Sequence, residues 1–187
     1  MPKFRTRGQR GSAFEELINL TLEAYREEGV ALIQKIPTPV VPVEMDPKTR
    51  IITKAYFDQK STVDYLGVMN GIPLCFDAKE SGKAFLPFSN IHSHQVAFMK
   101  DFAACGGLSF LLVHMAAYGR YFLLPLEVLV RYYDDPDGRR SIPIEAFEDR
   151  YEVPAPAPEL PFLSVVYRYW QDLQAAGAGE ASDESRA

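Results

Sequence analysis

What most constrains this chain is the stretch STVDYLGVMNGIPLCFDAKE, residues 61–80. It reads as two short strands joined by a turn at Asn70-Gly71, with Asp64 on the first strand and the triplet Asp77-Ala78-Lys79 on the second. Side chains alternate faces along a strand, so Asp77 and Lys79 share one face while Leu74, Phe76 and Ala78 share the other. The apolar set is the core side. By the same alternation Thr62 and Asp64 share a face, and a turn that folds the strands together brings two carboxylates and an ammonium into one place. Such a set suits metal-assisted phosphodiester hydrolysis. Carboxylates hold Mg²⁺, which polarises the phosphate and lowers the pKa of a bound water, and a lysine orients that water or meets the developing negative charge. The competing account is that these are solvated side chains on a half-exposed strand.

The rest of the chain bounds the setting. At 187 residues, with 47% hydrophobic content, it suits one globular domain with a sizeable core. No apolar run reaches the length of a membrane span, and the basic start MPKFRTRGQRG lacks the apolar stretch of a secretory signal, so a cytoplasmic location is expected. Cys75 and Cys105 lack partners at zinc spacing and are expected to be buried thiols. The net charge of -5 argues mildly against a nucleic-acid partner, but its distribution softens that. Arg5, Arg7 and Arg10 lie in a basic arm, residues 1–11, and Lys48, Arg50, Lys54 and Lys60 lie around the next irregular region, whereas the acids concentrate late. A DNA-binding face fits this distribution, as does a solubilising arm.

Along the chain, Ser12 and Glu15 form a capping-box pattern that opens a helix whose apolar stripe is Phe14, Leu17, Ile18, Thr21 and Tyr25. Glu15 flanks that stripe, placed either to cap the helix or to reach a buried site. Residues 30–36 read as a strand. Residues 40–45 and 51–57 read as a hairpin around Asp46-Pro47, with Pro39 and Pro42 excluding a central position, so it should project from the body. A second helix is expected over 89–104, capped by Ser89 or Asn90, with Gln95 on its inward stripe and hence in need of hydrogen bonds. His92 and His94, two apart, should face different ways. Two further strands (108–115, 118–124), a helix (126–133), a helical turn opened by Pro143 and a last helix (162–173) follow, and residues 174–187 should be disordered. The expectation is an α/β chain with a mixed central β-sheet flanked by helices: an arm over 1–11, one domain over 12–173 and a tail.

With these residues in view, the chain resembles the RecU family of Holliday junction resolvases, within the PD-(D/E)xK nuclease superfamily. The matching blocks are RGQRGSAFE (7–15), KIPTPV (35–40), AYFDQKSTVDYLG (55–67), FDAKE (76–80), NIHSHQ (90–95) and GRRSI (138–142), in family order. The resemblance implies a restriction-endonuclease-like fold with a projecting stalk, about residues 38–60, that enters the centre of a four-way junction. It implies a homodimeric, Mg²⁺-dependent endonuclease, with Mn²⁺ as a possible substitute, that nicks four-way DNA junctions symmetrically in recombination and repair. It implies Asp64 and Asp77 as metal ligands, Lys79 as the catalytic lysine, Glu15 as a further acid near the site, Gln95 as an accessory residue at its rim and Thr62 as a supporting one. The arm would help hold DNA, and recombinase and branch-migration proteins are candidate partners. Val63 stands where the family often has threonine, and Asp77 where it usually has glutamate.

Two other functions compete: a nuclease of the same superfamily acting on flaps or duplex, and a junction-binding or partner-remodelling protein without significant cleavage. The intact acid, acid and lysine set argues against the second.

Overall fold

In chain order the computed structural model, which describes residues 9–37, 39–57 and 62–184, contains α1 (Gln9–Glu27), β1 (Ala31–Lys35), β2 (Val40–Met45), β3 (Ile52–Phe57), β4 (Tyr65–Met69) and β5 (Ile72–Ser81). It continues with β6 (Phe85–Pro87), α2 (Ser93–Ala104), β7 (Leu108–Met115), β8 (Arg120–Pro125), α3 (Leu126–Tyr133), β9 (Ser141–Pro143), β10 (Glu152–Val153) and α4 (Leu163–Glu184). Six strands form one sheet in the order β1-β4-β5-β7-β8-β10. Only the β5–β7 pair within it is parallel, with α2 as the crossover, so the sheet is mixed as expected.

The predicted hairpin is its functional half. Asn70 and Gly71 both have positive φ, 47° and 82°, as a tight turn between right-twisted strands requires. Pairing starts at Met69 opposite Ile72 and runs to Tyr65 opposite Phe76. Phe76 stacks on Tyr65 at 4.7 Å and on Phe110 at 5.0 Å, across three neighbouring strands. A one-residue slip would turn these rings off the core face, so the stack pins the register that sets Asp77 against the residue before β4.

Each face of the sheet is covered. Phe14, Ile18 and Tyr25 of α1 and Val165, Val166 and Tyr169 of α4 pack with Leu74, Phe76, Phe110 and Leu112 on one side. Val96 and Met99 of α2 and Val128 and Leu129 of α3 pack with Cys75, Leu111 and Val113 on the other. β5 is therefore covered on both faces over residues 74–77, so Asp77 is buried rather than solvated, whereas Ala78, Lys79 and Glu80 are half-buried.

Several expectations are corrected. α1 begins at Gln9, so Ser12 lies inside the helix rather than at its cap, and residues 9–11 belong to the helix rather than to a free arm; Gln and Arg are good helix formers. α2 begins at Ser93 because Ile91, buried among core residues, keeps an extended backbone (φ −115°, ψ 119°) and interrupts the run from Ser89. Pro143 opens a helical turn as expected, the 3-10 turn Ile144–Ala146, but it also ends β9, an unexpected strand that pairs with β6 in a ribbon of its own. α4 continues to Glu184 through the alanine-rich residues expected to be disordered, since alanine favours helix without tertiary contacts. Cys75 is buried but Cys105, at the C-cap of α2, is exposed.

Among the described residues β2 and β3 pair only with each other. Val43, Met45, Ile52 and Tyr56 are exposed, so the hairpin projects as expected. No described helix is long and apolar enough to cross a membrane.

Candidate active site

Asp64 sits one residue before β4, where its main chain bridges two elements. Its carbonyl accepts from Ile36 N–H at 2.8 Å, and its own N–H donates to Asp77 Oδ1 at 2.6 Å. Hairpin register places Asp77 there, one residue beyond the Tyr65–Phe76 pair. Asp77 is fully buried. Burial pushes its carboxyl up from 3.8 to about 6, opposed by the Lys79 ammonium and reinforced by the Asp64 charge.

The second oxygen of Asp77 is the unusual one. Oδ2 is buried and, among the described residues, has no hydrogen-bond donor. Lys79 Nζ lies 3.2 Å away, close enough for ion-pair attraction but not directed as a hydrogen bond. Instead Nζ donates to Gln95 Oε1 at 3.0 Å. Gln95, almost fully buried at the first turn of α2, also accepts from His92 N–H at 3.4 Å. It lies behind Lys79 rather than at a rim. The hydrogen bonds that sequence alone requires for an inward glutamine therefore go to the helix start and to the lysine.

Three consecutive residues of β5 hold the segment that follows. Gln95 accepts from Lys79, Asn90 Nδ2 donates to the Glu80 carbonyl at 3.3 Å, and Ser81 Oγ donates to the Phe85 carbonyl at 2.7 Å. The Glu80 carboxylate, on the opposite face, meets His114 Nδ1 at 2.9 Å, and the His114 ring stacks on Tyr121 at 4.4 Å. Sequence reasoning missed both partners. Asn90 carries the chemistry of a helix cap, and the parallel register that sets Glu80 beside His114 leaves no local signal.

Other expected residues are placed less centrally. Glu15, about 40% exposed on α1, pairs with Lys35 at the end of β1. It reaches the neighbourhood of Asp64, since after burial the charges of Glu15 and Asp64 both raise the Tyr65 phenol. Thr62 is exposed and precedes β4, so strand alternation does not place it with Asp64. Val63 is fully buried among the residues packed under α2. His92 and His94 stack at 5.4 Å instead of diverging, because His92 is still extended where the helix begins. Lys48, Arg50 and Lys54 lie on the exposed hairpin, Lys54 within 3.8 Å of Glu44. Arg10 falls in α1, while Arg5, Arg7 and Lys60 lie outside the described residues.

The donor set fits a hard divalent cation. A buried carboxylate with one oxygen held by a main-chain N–H and the other facing only an ammonium among the described residues, near the charge of a second carboxylate, offers the oxygen ligands that Mg²⁺ prefers. Among the described residues no group of three or more His, Cys, Asp or Glu side chains is preassembled. Water or substrate phosphate would supply the remaining positions.

The family model for Recombination protein U matches residues 9–168. The chain belongs to the RecU family. Relatives at 39% identity over 163 residues include the proteins named Holliday junction resolvase RecU of Streptococcus pneumoniae serotype 19F (strain G54) and of strain ATCC BAA-255 / R6, with 84% of this chain and 82% of each relative covered. Among solved structures, the 1.6 Å structure of Archaeoglobus fulgidus Hjc, a Holliday junction resolvase from an archaeal hyperthermophile, matches with TM-score 0.40 and 10% identity over 70% of this chain and 88% of that one. Glu15, Asp64, Asp77, Lys79 and Gln95 all fall within the stretch that matches RecU.

Proposed function

We propose that this RecU chain is a structure-selective, Mg²⁺-dependent endonuclease that resolves four-way DNA junctions by paired symmetric nicks in recombination and repair. The observation that carries the reading is the buried Asp77 carboxylate, Oδ1 held by the Asp64 N–H and Oδ2 facing the Lys79 ammonium at 3.2 Å, in a chain 39% identical to proteins named Holliday junction resolvases.

Asp64 and Asp77 would hold the cation, Mg²⁺ or in its place Mn²⁺. When bound, it polarises the scissile phosphate and lowers the pKa of a water. The chain's own residues do the rest. Above about pH 6 Asp77 is a carboxylate, held in orientation by the Asp64 N–H. Lys79 keeps a rotatable ammonium at the site because Gln95 occupies only one of its three donors, leaving the others for the attacking water or a phosphate oxygen. Burial on both faces of β5 excludes bulk water from behind these groups, which strengthens each electrostatic contact. Two nicks in opposite strands call for two such sites related by a two-fold axis, so the working unit is a homodimer acting on cytoplasmic DNA, with recombinase and branch-migration proteins as candidate partners.

The test is cleavage of a labelled immobile four-way junction beside matched duplex and flap substrates, with Mg²⁺ and with EDTA, for the parent chain and Asp77→Ala. Paired nicks that need both Mg²⁺ and Asp77 establish the reading. Equal cutting of flap or duplex points to a nuclease with another substrate, and tight junction binding without nicks under either condition points to a binding protein.

A further inference from the structure

A groove of about 590 Å³ lies on the same side of the sheet as α2 and α3, lined by Pro87, Phe88, Ser89, Tyr133 and Arg140. Its wall is aromatic: the Phe88 and Tyr133 rings meet at 5.2 Å, tilted by 51°. Arg140 is fixed there by the β6–β9 ribbon, its carbonyl accepting from Phe88 N–H at 3.1 Å. Arg139 and Arg140 are exposed, and neither side chain forms an ion pair among the described residues, although the chain as a whole is acidic. None of the acids that precede them in sequence stands within ion-pair distance of either guanidinium among the described residues. Asp134 pairs with Lys100 and Asp135 accepts from Asp137 N–H within its own turn.

We infer that this groove is a second contact for the DNA substrate, taking one strand beside the scissile phosphate with its phosphates on Arg139 and Arg140 and an unstacked base against Phe88 and Tyr133. This rests on the nuclease reading above. Unpaired guanidiniums beside half-buried aromatic rings that line an open groove form the combination that holds splayed single strands, the guanidiniums taking phosphate and the accessible ring edges and faces taking any base. Charge complementarity favours nucleic acid over an apolar partner, since a protein segment docking here would leave both guanidiniums desolvated or unmatched. Position supplies the rest. The segment from Phe85 to Gln95 is pinned to Ser81, Glu80 and Lys79 in turn, so a strand lodged against Phe88 is held in fixed register with the catalytic lysine. Near a branch point strands leave the duplex, and there an unstacked base costs least.

The experiment measures affinity in EDTA for a four-way junction and for a single-stranded oligonucleotide, across a range of salt. It compares the parent chain with Arg139→Ala/Arg140→Ala, with Tyr133→Leu and with Arg139→Lys/Arg140→Lys, and follows it with cleavage at saturating junction. The double alanine variant should lose about tenfold or more in affinity and flatten the salt dependence by roughly two phosphates' worth. Tyr133→Leu should weaken binding about fivefold or more without changing the salt slope. The lysine pair should restore most of the salt slope, and cleavage at saturating junction should fall in the double alanine variant and recover in the lysine pair, as a strand held in register requires. Unchanged affinity and slope in the double alanine variant, with a parent that does bind, overturns the groove while leaving the nuclease reading intact. A parent that binds DNA through these residues yet never nicks a junction overturns the nuclease reading and keeps the groove; a parent that binds no DNA overturns both.

Discussion

The main-chain N–H of Asp64 donates to Asp77 Oδ1 at 2.6 Å, so one acid of the candidate site orients the other through backbone and keeps its own carboxylate available. Asp77 Oδ2 is left buried without a hydrogen-bond donor among the described residues, the Lys79 ammonium lying 3.2 Å away. This arrangement is useful for a cation and unfavourable without one.

Asp77→Asn should therefore stabilise the metal-free protein at alkaline but not acidic pH. The folded carboxyl titrates near 6 against 3.8 when unexposed to burial, so the folded state binds the proton more tightly. Its contribution is fully present below 3.8 and is lost as pH rises through 6. At about 1.4 kcal/mol per unit the loss amounts to roughly 3 kcal/mol at most. Asparagine keeps an acceptor for the Asp64 N–H and never ionises. Denaturant melts in EDTA should show the variant more stable than the parent by about 1–3 kcal/mol at pH 8 and equal to it near pH 4, with junction cleavage abolished. A variant less stable at pH 8 would mean that the Asp77–Lys79 attraction outweighs desolvation.

Gln95 is the only hydrogen-bonded side-chain partner of the Lys79 ammonium among the described residues. Gln95→Leu fills similar volume but removes that acceptor and leaves the His92 N–H without its side-chain partner. The expected result is a stability loss of about 1–2 kcal/mol and a larger loss in turnover, about 10–100-fold, with junction affinity in EDTA unchanged. Single-turnover cleavage set beside gel-shift affinity separates the two. Loss of affinity equal to loss of rate would mean that Gln95 holds DNA rather than lysine.

The alternation of Leu74 and Phe76 against Asp77 and Lys79, with a turn at Asn70-Gly71, was legible because both signals are local: two-residue periodicity and a turn that needs positive φ. The projecting hairpin was legible for the same reason, through Pro42 and Asp46. Pairing between distant strands was not. Glu80 meets His114 only because β5 and β7 run parallel through a helical crossover. Helix starts misled in both directions, since Ser12 and Ser89 carry cap chemistry that the surrounding backbone does not use. Cys105 is exposed because α2 ends there and Gly106 takes positive φ, a detail of the helix terminus that apolar content does not reveal.

That last correction has a chemical consequence. Cys75 is fully buried beside Ser109 and burial pushes its thiol up to about 11, whereas Cys105 stands open to solvent. A thiol reagent at pH 8 should label Cys105 within minutes and Cys75 only after unfolding, because attack requires an accessible thiolate. Mass mapping of the labelled peptides reads the outcome. Equal labelling of both would show that the sheet opens on that timescale at β5, next to Asp77.

Replacing residues 41–56 by a short glycine-serine linker should spare the fold and cost the substrate preference. Among the described residues β2 and β3 pair with nothing but each other, and Val43, Met45, Ile52 and Tyr56 expose apolar surface that belongs to neither core cluster. Removing them deletes no buried contact of the main sheet, so the melting temperature should move by no more than about 3 °C. Asp64, Asp77, Lys79 and Gln95 keep their bonds, and slow cutting of any accessible duplex should persist. Discrimination between junction and duplex should fall by about tenfold or more, roughly 1.4 kcal/mol. That fall would reflect loss of the element whose exposed basic tip, Lys48 and Arg50, carries charge away from the body of the domain. Competition of labelled junction with unlabelled duplex gives the ratio directly. If the ratio is unchanged while the fold is intact, selectivity resides in the body of the domain and the hairpin is dispensable for it.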